Sequence, residues 1–258
     1  MKKHILPLAM IATLGLSACG KHDHTAAGNA DEPTSSSGQA AQSPNGTVTA
    51  AATLPQPNAS TPITSYTMLT SGNQLMFLYY ALSGMPPDYS QIANAYSQDY
   101  RATTDSFKQH DILQALTPQI NAAIAAAKSQ RYVIWTVNNI LIGHYDFNKK
   151  SFPLNNSFLQ DNAAGNFTDN SGYSILFKNG SAFSTMPVAD ENAAKTIENR
   201  VSQTSPGQLF ANPNLMFNLK IYAFAQKADL SNHQIDCVIT RVDLIGHNGT
   251  VLASYMGK

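Results

Sequence analysis

Asp99, Arg101, His110, Asp111, His144 and Asp146 are the residues of this 258-residue chain whose types and grouping could do acid–base chemistry. Two positions apart on a strand, His144 and Asp146 share a face. An imidazole beside a carboxylate is an arrangement that general bases use. Arg101 adds a cation. The same residues have a plainer reading. Asp146 precedes Asn148-Lys149-Lys150 and fixes that turn, and Arg101 pairs internally with Asp99 or Asp105. No catalytic residue is assigned: Arg101, His144 and Asp146 are the candidates, on a pattern that structural pairing explains better. The enzyme motifs that would outrank them, G-x-S-x-G, S-x-x-K, H-E-x-x-H, C-x-x-C and Gly-rich phosphate loops, do not occur. Lys21-His22-Asp23-His24 offers metal donors in a polar leader where such runs are ordinarily solvated. No metal and no cofactor is expected.

The hydrophobic pattern around these residues changes period midway. Leu75 to Leu82 is apolar almost all round, within a helix predicted from about Ser71 to Gly84-Met85-Pro86-Pro87. A second helix is predicted over Tyr89–Gln98. A third is capped by Thr104 or Asp105, with Phe107, Ile112, Leu113 and Leu116 on its apolar face. Thr117-Pro118 reads as the N-cap and first residue of a fourth helix to Gln130, buried through Ile120, Ile124 and Ala127. Phe77, Tyr79, Tyr80, Tyr89, Tyr96 and Tyr100 crowd the first two helices, either as core with hydroxyls at the rim or as a sugar-stacking surface.

From Tyr132 the chain turns β-branched and aromatic. Strands are predicted over Tyr132–Val137, continuing through Ile140–Phe147. A long loop is expected over 153–171, and a hairpin of Tyr173–Phe177 with Ala182–Met186 through Asn179-Gly180. Asp190 caps a short helix to about Val201, with Glu191 and Lys195 paired one turn apart. Leu215, Phe217, Leu219, Ile221 and Ala223 alternate as a strand. Ile235–Ile245 and Thr250–Tyr255 form a hairpin through Asn248-Gly249. Helices followed by strands predict an α+β fold, N-terminal helices packed on a mostly antiparallel sheet, as a single domain. Cys237 falls between Ile235 and Ile239 on one strand face, the place of a small buried hydrophobe rather than a reactive thiol.

The start of the chain is of another kind. Met1-Lys2-Lys3 and the apolar run Ile5–Leu16 make a secretory signal, too short for a membrane span of about 20 residues. The run closes on Leu16-Ser17-Ala18-Cys19-Gly20, which resembles the lipobox of bacterial lipoproteins. That resemblance implies cleavage after Ala18, a diacylglycerol on the Cys19 sulfur and an acylated new amino group. Acyl chains in this number make release from the membrane negligible. Gly20 in place of the aspartate that signals inner-membrane retention implies the periplasmic face of the outer membrane. Residues 20–62 are Ala, Gly, Ser, Thr, Pro, Asn and Gln apart from eight positions, a composition that does not fold alone and would span roughly 35 Å as a coil. The expected layout is signal peptide 1–18, lipidated cysteine and disordered linker 19–62, and globular domain 63–258, with the linker adding reach and no stability.

Asp88-Tyr89, Tyr100-Arg101, Phe107-Lys108, His110-Asp111-Ile112-Leu113, Arg131-Tyr132, Tyr145-Asp146-Phe147-Asn148 and Phe152-Pro153-Leu154 resemble a family of uncharacterised exported proteins of Gram-negative bacteria. The likeness runs from about residue 75 to the end, is sharpest over 88–154, and implies an envelope protein without supplying a catalytic residue. The chain carries 16 basic and 16 acidic residues, and loss of Lys2 and Lys3 with the signal leaves a net charge of −2. Nucleic acid, which selects a basic face, is therefore not an expected partner. The expected partners are the membrane, through the lipid, and an envelope protein or glycan. The expected function is a tethered binding or assembly module; the alternative is a periplasmic hydrolase of cell-wall or lipid material using Arg101, His144 and Asp146. With Cys19 as the anchor, Cys19→Ala moves the protein from membranes to the soluble periplasmic fraction. Retention of that variant through a carbonate wash would overturn the anchor.

Overall fold

The all-round apolar stretch becomes helix α1, Gly72–Ser83, and its composition explains its place. A helix without a polar face must be covered on every side. Leu75, Met76, Leu78, Tyr79 and Tyr80 are all buried, with strands on one side of α1 and a second long helix on the other. Ser71 closes a capping box with Gln74, an arrangement worth about 1 kcal/mol, and Gly84 ends the helix at φ 67°. The computed structural model describes residues 53–204, 212 and 215–257. The expected signal peptide, Cys19, the Lys21–His24 run and most of the linker lie outside the described residues.

Helix α2 (Tyr89–Tyr96, capped by Asp88) is followed at once by the short α3 (Gln98–Ala102, capped by Ser97). The single second helix expected to Gln98 is thus broken at Ser97. Helix α4, Ser106–Ser129, then runs unbroken with Asp105 as its cap. The predicted break at Thr117-Pro118 is absent. Thr117 Oγ1 instead donates to Leu113 O at 2.8 Å, and Pro118 lies on the exposed side, where a helix bends outward most easily. The roughly 3 kcal/mol cost of an internal proline is offset by the packing of α4 on α1 and α2. Continuity also corrects Phe107. One helix keeps one stripe through Leu113, Leu116, Ile120, Ile124 and Ala127, and Phe107 lies roughly 140° round from it at 84% exposure.

The sheet is α+β in the predicted sense. It comprises β1 (Thr67–Met68), β2 (Tyr132–Ile140), β4 (Ala163–Phe167), β5 (Asn170–Phe177), β7 (Phe217–Asp229), β8 (Gln234–Ile245) and β9 (Val251–Met256). Its order is β1-β2-β7-β8-β5-β4, with β9 also on β8, and only β1–β2 and β5–β8 pair in parallel. A separate pair joins β3 (Ser151–Pro153) to β6 (Thr185–Pro187), and α5 (Glu191–Val201) follows with Asp190 as its cap. Gly249, at φ 83°, makes the β8–β9 turn that Asn248-Gly249 predicted.

Three sequence expectations fail among the strands. The long loop over 153–171 holds β4 and the start of β5, because Gly, Asn and Asp hide a short edge hairpin. The Asn179-Gly180 hairpin does not form. Asn179 uses its side chain instead, accepting from Ile239 N–H at 2.7 Å and donating to Ile239 O at 3.0 Å. Gly180 is required by crowding, since a Cβ there would lie 2.3 Å from Gln160 O. Strand β2 also stops at Ile140, short of the predicted Phe147.

One face of the sheet meets α1 through Val133, Trp135, Leu219, Ile221, Ala223, Ile235, Cys237 and Ile239. The other face carries Tyr132, Tyr222 and Phe224, and the chain before β1 crosses it. Tyr66 sits edge-on to Tyr132 and Tyr222 at 5.1 and 5.4 Å. Asn58 N–H donates to Tyr132 Oη at 2.7 Å, and Gln226 Nε2 to Pro55 O at 3.1 Å. The segment expected to be linker is therefore in contact with the domain from Pro55 onward, before the boundary drawn at 62.

Asn179→Ala leaves the N–H and C=O of Ile239 without partners, at a cost of about 2 kcal/mol. Urea unfolding should show a lowered midpoint with an unchanged slope. An unchanged midpoint would mean that water replaces the amide.

Candidate functional site

Helix α5 and the turn after β2 enclose a cavity of 250 Å³ lined by Tyr145, Phe147, Lys150, Glu191, Lys195 and Glu198, with Ala189 and Ala194. The turn is held from within. Asp146 Oδ1 accepts from Asn148 and Lys149 N–H at 2.9 and 3.0 Å, and Asp146 exchanges backbone hydrogen bonds with Ser151. Lys150 adopts φ 49°, and its carbonyl accepts from Val188 N–H at 2.9 Å. Tyr145 is fixed at both ends: its hydroxyl donates to Val188 O at 2.9 Å and its N–H to Glu198 Oε2 at 2.9 Å. Phe147 stands at the tip, 82% exposed, edge-on to Tyr145 at 5.1 Å.

His144 and Asp146 do not pair. His144 Nδ1 lies 2.6 Å from Glu198 Oε1, a partner 54 residues away that the sequence reading missed. Asp146 spends its carboxylate on the turn, with Lys149 Nζ at 3.8 Å. Arg101 donates through Nη1 to the carbonyls of Asn94 and Ala95 at 2.6 and 2.8 Å and so closes the C-terminal end of α2. His110 bonds Gln114 at 2.9 Å within α4. No hydrogen bond or ion pair among the described residues joins Arg101, His144 and Asp146. The convergence that the hydrolase reading requires is missing. The His144–Glu198 pair has base-like geometry, but the nearby hydroxyl, Ser202 Oγ, bonds the carboxylate at 3.2 Å and not the imidazole.

Glu198 is pulled in two directions. Burial raises its pKa, while hydrogen bonds from His144, Tyr145 N–H and Ser202 lower it and prevail, leaving it below the ordinary glutamate value. Cys237 is fully buried, as its strand position implied, and burial followed by the neighbouring Asp236 pushes its thiol well up. Such a thiol is a poor nucleophile. Among the described residues no cluster of three His, Cys, Asp or Glu is placed to hold a metal ion.

A second concavity, a groove of 320 Å³, opens where the chain before β1 crosses β7 and β8. Residues 57–63 form one wall. Tyr66, Tyr222, Thr240 and Arg241 form the floor, and Phe183 and Met256 the far side. Arg241 gives Nε to the buried carboxylate of Asp243 at 2.6 Å and Nη2 to Ser254 at 2.9 Å, with its guanidinium 5.6 Å from the Tyr222 ring centre. Tyr66 and Thr240 hydroxyls bond at 2.9 Å. Burial and then Asp243 push the Tyr222 phenol up to about 12, so it stays a neutral donor. Of the aromatics predicted for a core or a binding surface, Tyr79 and Tyr80 are buried and Tyr96 is exposed on α2.

No known protein family, no curated protein and no solved structure matches this chain. No helix among the described residues is long and apolar enough to cross a membrane.

The Glu198 pairing carries a pH signature. A carboxylate whose folded pKa is depressed stabilises the fold above its unfolded pKa, and that contribution is lost as pH falls through the folded value. Glu198→Gln should therefore lower stability by about 1 kcal/mol at neutral pH. The gap to the parent protein should close in acid below the ordinary glutamate range. A gap that persists unchanged in acid would assign the loss to packing.

Proposed function

We propose that this chain is an envelope lipoprotein, held through acylated Cys19 at the periplasmic face of the outer membrane, that acts as a tethered binding or assembly module. The observation that carries the reading is the 320 Å³ groove with residues 57–63 as its wall. Those residues end the stretch that leads from Cys19 to the domain, so an occupant touches tether and sheet together. Its lining suits recognition. Ile63 and Met256 expose apolar surface at the rim, while Arg241, Tyr66, Tyr222 and Thr240 set fixed polar positions below. The Leu16–Cys19 pattern supports the envelope location. The separate pairing of Arg101, His144 and Asp146 favours binding over turnover.

Site-specific photo-crosslinking tests the groove. A crosslinking residue in place of Met256, 68% exposed at the rim, should give a discrete envelope adduct in living cells. The same residue in place of Phe107, 84% exposed on α4, should not. Ile63→Glu should abolish the Met256 adduct. Equal patterns from both positions, or an adduct indifferent to Ile63→Glu, would remove the groove as the recognition surface.

A further inference from the structure

Phe147 is an aromatic ring that the fold holds in water. Phe107 is as exposed, but it lies on α4 and does not line this cavity. The Phe147 turn is locked by the two Asp146 acceptor bonds, the Asp146–Ser151 bridge and the Val188 bond to Lys150. The ring is propped edge-on by Tyr145 at 5.1 Å, so its outer face stays open beside the 250 Å³ cavity. Tyr145 packs on the core through Phe152, but the Phe147 ring takes no part in it.

The opposite wall has a defined chemistry. Glu191, Lys195 and Glu198 recur on one face of α5, with Ala194 between them leaving room, and Lys150 faces them from the turn. Lys195 pairs loosely with Glu191 at 3.8 Å, both largely exposed, and the Lys150 ammonium has no partner among the described residues. Lys150 and Lys195 balance Glu191 and Glu198, so the lining has no net charge. That excludes strong selection for phosphate or any polyanion. A hydrocarbon chain would strip water from four charges without replacing their hydrogen bonds. A neutral ring with one apolar face and a rim of hydroxyls satisfies both walls. The volume lies below the roughly 300–1,000 Å³ typical of drug-sized ligands, which fits one such ring.

We propose that this pocket binds a single pyranose unit of a neutral glycan, its C–H face stacked on Phe147 and its hydroxyls bonded to Lys150, Glu191 and Lys195. The inference deepens the reading of the chain as a binding module and rests on it, at a site separate from the groove. Calorimetric titration of the purified full chain with chitotetraose, cellotetraose and maltotetraose tests it. Saturable binding of at least one is expected, weakened about tenfold or more by Phe147→Ala and kept by Phe147→Tyr. The unfolding midpoint of Phe147→Ala should stay that of the parent, because the ring is 82% exposed. Failure of every sugar to bind, or binding unaffected by Phe147→Ala, overturns the proposal. Crosslinking at Met256 is read independently, so a failed sugar titration with an intact groove adduct rejects the sugar site alone.

Discussion

A β-strand offers one hydrogen-bonding edge to each side, and β8 has to serve two neighbours on the same side. Strand β7 takes one edge along its length. On the other edge β5 pairs in parallel with Gln234–Cys237, and β9 pairs antiparallel with Arg241–Ile245. Ile239 falls between them, and its backbone groups, deep in the sheet, need partners. The Asn179 side chain supplies both, acting as one residue of a missing strand. Much else follows from this split. Strand β5 brings β4 to the edge, and β9 brings β6 and α5 against the core. The gap left open at Val238–Thr240 becomes the floor of the groove.

The two faces of the sheet are built by different means. The helix side is an apolar core in which α1 is enclosed between strands and α4, and its stability is that of area removed from water. The other face buries two carboxylates. Asp243 pairs with Arg241 at 2.6 Å, and Asp236 lies between Lys178 and Lys227 at 3.4 and 3.6 Å. A buried ion pair contributes little beyond its own desolvation cost, yet losing one partner is expensive. Polar residues on this face are therefore fixed in place, which gives the groove its rigid arginine and tyrosines.

Both concavities include groups already immobilised by the fold. In the groove, Tyr222 stays protonated and Arg241 is held by Asp243 and Ser254. In the pocket, Tyr145 and the Phe147 turn are tied to Val188, Glu198 and Ser151. Side chains ordered beforehand lose less freedom when a ligand arrives, which favours affinity from modest contact areas.

Features set by local chemistry could be read from the residues alone. Caps at Asp105 and Asp190, the alternation of β7, the Asn248-Gly249 turn and the burial of Cys237 were legible, because each depends on neighbours within a few residues. Helices then strands sufficed for the α+β class. Tertiary structure alone decided whether Pro118 ends a helix, since the packing of α4 on α1 outweighs a local cost. It alone turned Asn179-Gly180 from a hairpin into a bridge to Ile239, and joined His144 to Glu198 rather than to Asp146. Phe77, Tyr79 and Tyr80 read more readily as core than as a stacking surface, and the placement of α1 buries Tyr79 and Tyr80 and packs Phe77 against the core. The candidate sites were illegible for the same cause. Phe147, Lys150 and Glu198, like residues 57–63 and Arg241, meet only once the strands have chosen partners, and that choice is a competition for edges and buried area that no short window of sequence contains.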